Sequence, residues 1–219
     1  MAVITISREL GSDGTIIAKQ TAETLGYPLV DKTTIEHILS QYGFVHFGKD
    51  YETVPNFWER LDPSKGNMIT MLNRVILAMA CYDNLVILGR GSFAVLGGYA
   101  DVLNVRIQSP LPVRIKRIMK EQNIKDPFTA ESLVKESDKV RSAFIQSWYN
   151  VRWDQAEAFD LIFDTSKIPA EMASRWISEA AKKIKSVQGN NKPTTQTILV
   201  DQELARAVAA GIKLIQVAQ

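Results

Sequence analysis

The sequence is poor in the residues that mark secreted, metal-binding and membrane proteins. Cys81 is its one cysteine, so no intrachain disulfide can form. Its place in the apolar run VILAMAC predicts a buried small side chain rather than a nucleophile. The two histidines, His37 and His46, have no cysteine or acidic partner at metal-ligand spacing. No hydrophobic stretch approaches the roughly 20 residues that span a bilayer, and no secretory signal precedes Ala2, so we expect a cytoplasmic protein.

The sequence also lacks a strong excess of positive or negative charge. The chain carries 26 Lys and Arg against 24 Asp and Glu, a formal net charge of +2. This charge is too small to indicate binding to a nucleic acid or to a membrane surface. The length of 219 residues and the hydrophobic content of 46% suit one large α/β domain, or a domain with an appendage.

Apolar runs of strand length alternate with helical patterns along most of the chain. This alternation predicts an α/β fold, in which helices cover both faces of a parallel sheet. Strands are predicted at residues 2–7, 28–30, 85–88, 102–107 and 161–163, and helices at 15–25, 33–40, 67–80, 110–122, 129–148 and 169–187.

Two segments interrupt the alternation. Residues 41–66 mix glycine, proline and aromatic residues, which predicts a mobile insertion on the substrate side with a short helix around residues 57–61. Residues 188–197 have the composition of a linker. Beyond them we predict a strand at 198–200, a helix from Asp201 to about 210 and a strand at 212–217. This C-terminal extension, residues 198–219, is expected to be an addition to a domain that is complete near residue 187.

The stretch VITISRELGSDGTIIAK, residues 3–19, runs from an apolar strand through a glycine turn into a helix. Such a turn offers backbone N–H groups and a helix dipole to a phosphate. However, Gly14 stands where the signature G-x-x-x-x-G-K-[ST] has its lysine. Thr15 follows at the position of a Mg²⁺-binding hydroxyl. The predicted phosphate-binding residues are Gly11, Ser12, Asp13, Gly14 and Thr15, although the Asp13 carboxylate would repel phosphate unless it points away or holds an arginine.

Charged residues at the ends of other strands complete the predicted site. Arg8 precedes the turn and is our candidate to replace the missing lysine, the alternative being a surface residue at a strand end. Asp31 and Arg90 each end a strand, at the edge where open α/β sheets bind ligands. Arg90 also lies between two glycines, which let a ligand approach the backbone, and we expect it to bind an acceptor phosphate. Its alternative role is a structural salt bridge.

Five sequence blocks, in order, resemble the cytidylate kinase-like family, a branch of the P-loop nucleoside monophosphate kinases. The resemblance covers roughly residues 2–187 and therefore a whole domain. It implies a P-loop NTPase-type sheet with a helical lid, and a loop in which the pattern S-R-E-x-G-S commonly replaces the lysine-bearing one. The blocks are ITISRELGSDGTIIAKQTAETLGYPLVD, VILGRGSFAVL, NVRIQSPLPVRIKRIMKEQNI, SLVKESDKVRSAF and FDLIFDTSKI.

The resemblance also implies an activity and roles for further residues. Mg²⁺ and ATP would be the cofactor and the phosphoryl donor, and CMP or dCMP the small-molecule acceptor. Arg74 lies where related cytidylate kinases carry a basic residue and would bind the acceptor. The lid would span about residues 112–150 and the acceptor-side insertion about residues 33–66. Four lid residues would approach the phosphates on closure, Arg117 and Arg141 as catalytic partners of Arg8, and Arg114 and Asp138 beside them.

Three functions are consistent with this sequence. The first is the nucleotide kinase that the resemblance implies. The second is a nucleotide-binding regulatory module or pseudo-kinase, suggested by Gly14 in place of lysine, by Asp13 in the loop and by the C-terminal extension. The third is a kinase of the same fold with a non-nucleotide acceptor, suggested by the unusual segment at residues 41–66. An assay for turnover separates the second from the other two.

Overall fold

The computed structural model describes residues 2–45, 48, 53–54, 62–184 and 192–218. Within them the chain forms a parallel sheet of five strands, which are β1 (Val3–Arg8), β2 (Leu29–Val30), β3 (Leu85–Leu88), β4 (Val102–Gln108) and β5 (Leu161–Asp164). The strand order is β2-β3-β1-β4-β5, and Val3 of β1 lies opposite Leu85 of β3 and Val102 of β4. The residues after β1 therefore leave the centre of the sheet at its carboxyl edge, where this class of fold binds ligands.

Helices cover both faces of this sheet, which confirms the predicted fold class. The helices are α1 (Gly14–Leu25), α2 (Lys32–Gln41), α3 (Pro63–Ala80), α4 (Ser92–Leu96), α5 (Leu111–Glu121), α6 (Pro127–Tyr149), α7 (Ala170–Ile184) and α8 (Gln202–Ala218). Ile4 and Val86 point to the face covered by α1 and α7. Val3 and Leu85 point to the other face, which is covered by α2, α3, α4, α6 and α8. None of the helices in the described part of the chain is long and apolar enough to cross a membrane.

Two aspartates set helix starts that lie earlier than the sequence predicts. The Asp31 carboxylate accepts the Thr34 N–H at 3.2 Å, so α2 begins at Lys32 and not at residue 33. The Asp62 carboxylate accepts the Ser64 N–H at 2.8 Å, and α3 begins at Pro63 and not at residue 67. Proline is tolerated in the first helical turn, because an N–H at that position would have no partner within the helix.

One short helix of the structure was not predicted, and one predicted short helix cannot be compared with it. Helix α4 follows the glycine turn after β3 and was not predicted, because five residues are too few for a periodic pattern. The helix predicted around residues 57–61 lies outside the residues that the structure describes.

The C-terminal segment differs most from the prediction, because residues 212–217 lie within helix α8 and residues 198–200 form no strand. The buried residues Leu204, Val208 and Ile212 recur every four positions and place one face of α8 in the main core, against α2 and α3. A Cβ atom at Gly211 would lie 2.9 Å from Cδ1 of Ile38, so this glycine lets α8 approach α2 closely. The expected addition to the domain is thus packed into it.

The chain is also attached to the sheet before α8 begins. Thr195 donates its N–H to Asp101 Oδ1 at 2.8 Å and its hydroxyl to Asp101 Oδ2 at 2.6 Å. Ala100 donates its N–H to the carbonyl of Pro193 at 2.8 Å. Of the predicted linker at 188–197, the part from residue 192 onward is therefore hydrogen-bonded to the turn before β4.

Candidate active site

The glycine turn between β1 and α1 has the geometry of an anion-binding loop. Gly11 and Asp13 have positive φ angles of 77° and 61°, and the first backbone bond within α1 runs from the Ile17 N–H to the Asp13 carbonyl. The N–H groups that precede Ile17 at the helix N-terminus have no carbonyl one turn back, and they carry the positive end of the helix dipole. The loop borders a cavity of about 170 Å³ that Gly11, Gly14 and Thr15 line, so a phosphate can bind there.

Ser12 supports the loop from within. Its side chain is buried, and its hydroxyl lies 2.8 Å from the Glu9 carbonyl and 3.3 Å from the Ile107 carbonyl. The Ser12 carbonyl in turn accepts the Thr165 hydroxyl at 2.9 Å, which joins the loop to the end of β5. The Ser12 N–H also donates to the Glu9 carbonyl at 3.4 Å, so Ser12 is directed into the protein and its role in phosphate binding remains a prediction.

The Asp13 carboxylate is neutralised by Arg117. Asp13 Oδ2 lies 3.1 Å from Arg117 Nε, and the side chain of Asp13 does not cap α1. The same guanidinium donates to the Gly11 carbonyl at 3.2 Å and to the Thr165 carbonyl at 2.8 Å. The sequence left open whether this carboxylate would repel phosphate, and here it holds an arginine, which offsets its charge.

Arg8 occupies the space beside Gly14 that a lysine side chain would need. A Cβ atom at Gly14 would lie 2.9 Å from Cγ of Arg8 and still closer to its Cβ. Farther along the same side chain, Nη1 of Arg8 lies so near Gly89 that any Cβ there would clash. The missing Cβ at Gly89 therefore leaves space for the Arg8 guanidinium, and the first atoms of the Arg8 side chain exclude any side chain at position 14.

Arg90 is buried and held in an unusual backbone conformation. Gly89, Arg90 and Gly91 have successive positive φ angles of 79°, 55° and 73°. Such a conformation costs energy in a residue with a side chain, and it persists where the surrounding structure fixes it. Arg90 has a relative exposure of 4% and forms an ion pair with Glu36 on α2. The salt bridge that was its alternative role is therefore present, and Arg90 also lines a cavity.

That larger cavity has a volume of about 380 Å³ and lies between β3, the start of α2 and the middle of α6. Its polar lining is mostly cationic and its remaining wall is apolar. The lining residues are Arg8, Lys32, Leu88, Arg90, Leu133, Glu136, Ser137, Val140 and Arg141. Arg8 and Arg141 also line the cavity at the phosphate loop, so these two arginines stand where the cavities meet.

The predicted lid residues Arg114 and Asp138 contact the backbone of the phosphate loop at Leu10. Arg114 is buried and donates to Asp138 Oδ2 at 2.6 Å and to the Leu10 carbonyl at 3.3 Å. A Cβ atom at Gly11 would meet the backbone of Arg114 at 2.8 Å, so the loop packs directly on α5. The base of the α5–α6 hairpin is thus docked on the loop in this structure.

Two predicted acceptor residues lie apart from the cavities that the structure describes. Asp31 caps α2, and its Oδ1 also accepts the Thr34 hydroxyl at 3.4 Å. Arg74 lies on α3 and donates to Asp201 at 2.6 Å, with both side chains about half exposed. Their roles in acceptor binding remain predictions, and the structure gives each of them a partner elsewhere.

Glu9 was not among the predicted site residues, although its carboxylate forms three polar contacts beside the loop. Its oxygens accept from Arg106 Nη2 at 3.1 Å and from the Ser109 N–H at 3.1 Å, and lie 3.3 Å from Arg114 Nε. Burial lowers the pKa of Arg106, and the nearby Glu9 carboxylate opposes that change by favouring the charged guanidinium. An acidic residue at the end of a buried strand is the signal that could have identified Glu9.

Comparison with known proteins agrees with this architecture. A model of the cytidylate kinase-like family matches residues 3–167 of the chain. The chain belongs to this family. The cytidylate kinase of Methanocaldococcus jannaschii is 24% identical over 185 residues, which cover 84% of this chain and 99% of that protein. The cytidylate kinase of Pyrobaculum islandicum is 26% identical over 181 residues, covering 80% of this chain and 90% of that protein.

Solved structures show the same fold at low sequence identity. A protein from Eubacterium ventriosum, described as uncharacterized, has a TM-score of 0.67 and 20% identity, with 83% of this chain and 99% of that chain covered. The shikimate kinase of Bacteroides thetaiotaomicron has a TM-score of 0.50 and 14% identity, with 83% and 98% covered. Family membership and this fold together support a nucleotide kinase at the level of the family.

Proposed function

We propose that the protein is a kinase that transfers the γ-phosphoryl group of Mg²⁺-ATP to the phosphate of CMP or dCMP. The observation that carries the proposal is the position of Arg8 and Arg141, which border both the phosphate-loop cavity and the larger cavity. A phosphoryl group that moves from one cavity to the other would stay beside two guanidinium groups. Fixed positive charge at the point of transfer is the main contribution that a protein makes to this reaction.

The lining of the larger cavity favours a phosphate over an alcohol as the acceptor. Lys32 and Arg90 add two cations to those of Arg8 and Arg141. Glu36 pairs with both added cations and Glu136 also lines the cavity, so four cations face two carboxylates, and the excess of positive charge suits an anionic acceptor. A phosphate monoester is ionised at neutral pH and needs no general base, whereas an alcohol must lose a proton. The apolar wall gives a nucleobase a surface for packing, and about 380 Å³ is within the range of small-molecule sites, roughly 300–1,000 Å³.

Arg8 would take the role of the absent lysine. A guanidinium donates two parallel hydrogen bonds to phosphate oxygens and stays charged at every working pH. Arg8 packs closely against the backbone of Gly14 at its base and of Gly89 at its guanidinium, and these contacts restrict its side chain to the passage between the two cavities. This confinement limits the conformational entropy that Arg8 would lose on binding a phosphate.

The loop also fits a magnesium ion that arrives with the nucleotide. The described residues contain no cluster of three or more His, Cys, Asp and Glu side chains that would hold a metal by themselves. Magnesium at kinase sites is held instead by substrate phosphates, water and one or two protein oxygens, and the exposed Thr15 lines the phosphate-loop cavity. Thr15 would provide the hydroxyl ligand, and the ion would neutralise charge on the phosphates when bound.

The proposal is tested by ADP release from Mg²⁺-ATP in the presence of CMP, dCMP, UMP and AMP. We expect CMP and dCMP to stimulate release above background hydrolysis. Arg8→Ala should lower kcat by roughly 10²-fold or more while changing nucleotide affinity less, because the charge that Arg8 meets develops during transfer. Arg90→Ala should mainly raise the KM for the acceptor. Arg206→Ala is the matched control, since Arg206 is exposed on α8 and pairs with Glu203.

The assay, together with a measurement of Mg²⁺-ATP binding, distinguishes the three functions. If none of the nucleotides stimulates ADP release, the CMP kinase proposal is wrong. Retained binding of Mg²⁺-ATP, measured by calorimetry, would then favour an acceptor that is not a nucleotide. If the wild type shows neither stimulated ADP release nor binding of Mg²⁺-ATP, a regulatory module is favoured instead.

A further inference from the structure

A series of alternating charges runs behind the phosphate loop from β4 to the larger cavity. Glu9 binds Arg106 on one side and Arg114 on the other. Arg114 binds Asp138 at 2.6 Å, and Asp138 Oδ1 lies 3.9 Å from Arg141 Nη1 one helical turn later. Arg141, the last residue of this series, lines both cavities, and the other residues lie behind the loop. The site is therefore connected electrostatically to the core beneath it.

Arg114 and Asp138 form hydrogen bonds with the backbone of Leu10. The Leu10 N–H donates to Asp138 Oδ1 at 3.5 Å, and the Leu10 carbonyl accepts from Arg114 Nη1 at 3.3 Å. Arg114 and Asp138 belong to different helices, α5 and α6, and their side chains are joined beside Leu10. Leu10 directly precedes Gly11, so these bonds fix where the phosphate-binding turn begins.

We propose that Asp138 is a positioning residue that couples the phosphate loop to Arg141. One of its carboxylate oxygens faces both the Leu10 N–H and the Arg141 guanidinium, and the other holds Arg114. A displacement of α6 at Asp138 would therefore move Arg141 and the loop together. Arg114 has a side-chain exposure of 8%, and removal of one member of a buried ion pair is costly, which keeps this arrangement in place. The catalytic meaning of the coupling rests on the proposed function, but the coupling itself does not.

The sign of one substitution separates positioning from simple electrostatics. Asp138→Asn removes a negative charge close to the phosphate loop. By Coulomb's law alone, this change should strengthen the binding of a polyanion. If Asp138 positions the loop and Arg141, the same change should weaken binding, because a neutral amide loses the ion pair with Arg114 and the longer attraction to Arg141.

The experiment is calorimetric titration of the full chain with inorganic tripolyphosphate, a probe that requires no acceptor. We expect Asp138→Asn to weaken binding by about tenfold, and the pair Asp138→Asn with Arg141→Ala to lose less than the product of the two single losses. Glu131→Gln is the matched control, since Glu131 is a carboxylate on α6 that pairs with Lys135 and lies away from both cavities. It should change affinity by less than about twofold.

Tighter or unchanged binding by Asp138→Asn, or fully multiplicative losses in the double variant, would overturn the coupling. If thermal melting shows that Asp138→Asn does not fold, Asp138→Glu replaces it. That variant keeps the charge for Arg114 but moves the carboxylate by one methylene, and it should weaken binding in the same direction. A wild-type chain that does not bind tripolyphosphate would overturn both this inference and the proposed function, whereas intact coupling without CMP-stimulated turnover would overturn only the proposed function.

Discussion

Gly14→Ala tests whether the first side-chain atoms of Arg8 exclude a side chain at the position of the absent lysine. The added methyl group would lie 2.9 Å from Cγ of Arg8 and closer still to its Cβ, inside the distance that real Cβ atoms keep. The Arg8 Cβ is attached to the backbone of the central strand, so it cannot rotate away. Overpacking of this kind costs about 1–3 kcal/mol, and the better helix propensity of alanine returns at most about 1 kcal/mol.

Two other helical glycines provide controls for the same substitution. A Cβ atom at Gly66 in α3 would have no neighbour within 4 Å, so Gly66→Ala should stabilise the protein by about 0.5–1 kcal/mol. A Cβ atom at Gly211 in α8 would meet Cδ1 of Ile38, the end of a side chain that can turn. The change in stability caused by Gly211→Ala should therefore lie between those caused by Gly14→Ala and Gly66→Ala.

Thermal unfolding of the three variants beside the wild type measures the difference. A change of 1 kcal/mol shifts the Tm of a chain of this length by about 2–4 °C. The overpacking cost less the gain in helix propensity should therefore lower the Tm of Gly14→Ala by up to about 12 °C, while Gly66→Ala raises it by a few degrees. If Gly14→Ala is as stable as Gly66→Ala, there is room beside Gly14. The absence of lysine would then need an explanation other than Arg8.

Three further predictions follow from the contacts described above. Ile212→Ala should destabilise the protein by about 2–5 kcal/mol in urea denaturation, because Ile212 is fully buried, and an unchanged midpoint would show that α8 does not belong to the core. Asp31→Ala should cost about 1 kcal/mol, whereas Asp31→Asn keeps the helix cap. A rise in acceptor KM in Asp31→Asn as well would reveal a role beyond capping. Cys81 is partly buried and not fully buried as predicted, and this partial burial, aided by Asp83, raises the pKa of its thiol. Iodoacetamide should therefore alkylate the folded protein more slowly than a cysteine peptide at pH 8, and faster as the pH rises. Equal rates would contradict this burial.

The fold could be predicted from the sequence because apolar residues of the buried strands face both sides of the sheet. Runs such as residues 85–88 are apolar at every position, and a parallel sheet between two helical layers is the arrangement that buries them. The wrong prediction of a strand at residues 212–217 also arises from an apolar run. An apolar run of six residues is compatible with a strand or a helix, and only the packing of Leu204, Val208 and Ile212 on the core decides between them.

The site could be predicted only in part, because its geometry depends on contacts between distant parts of the chain. The strand–turn–helix pattern indicated the loop, and the glycines beside Arg90 indicated a special backbone. The partner of Asp13 is more than 100 positions away, at Arg117, and no rule of local spacing connects the two. Gly14 shows the limit most clearly. By itself it looks like the loss of a catalytic lysine, and its meaning changes once Arg8 is found to fill the space where that side chain would begin. A glycine in a functional loop can thus indicate a neighbouring side chain that needs the space, and such a neighbour can be recognised only when the folded backbone brings the two positions together.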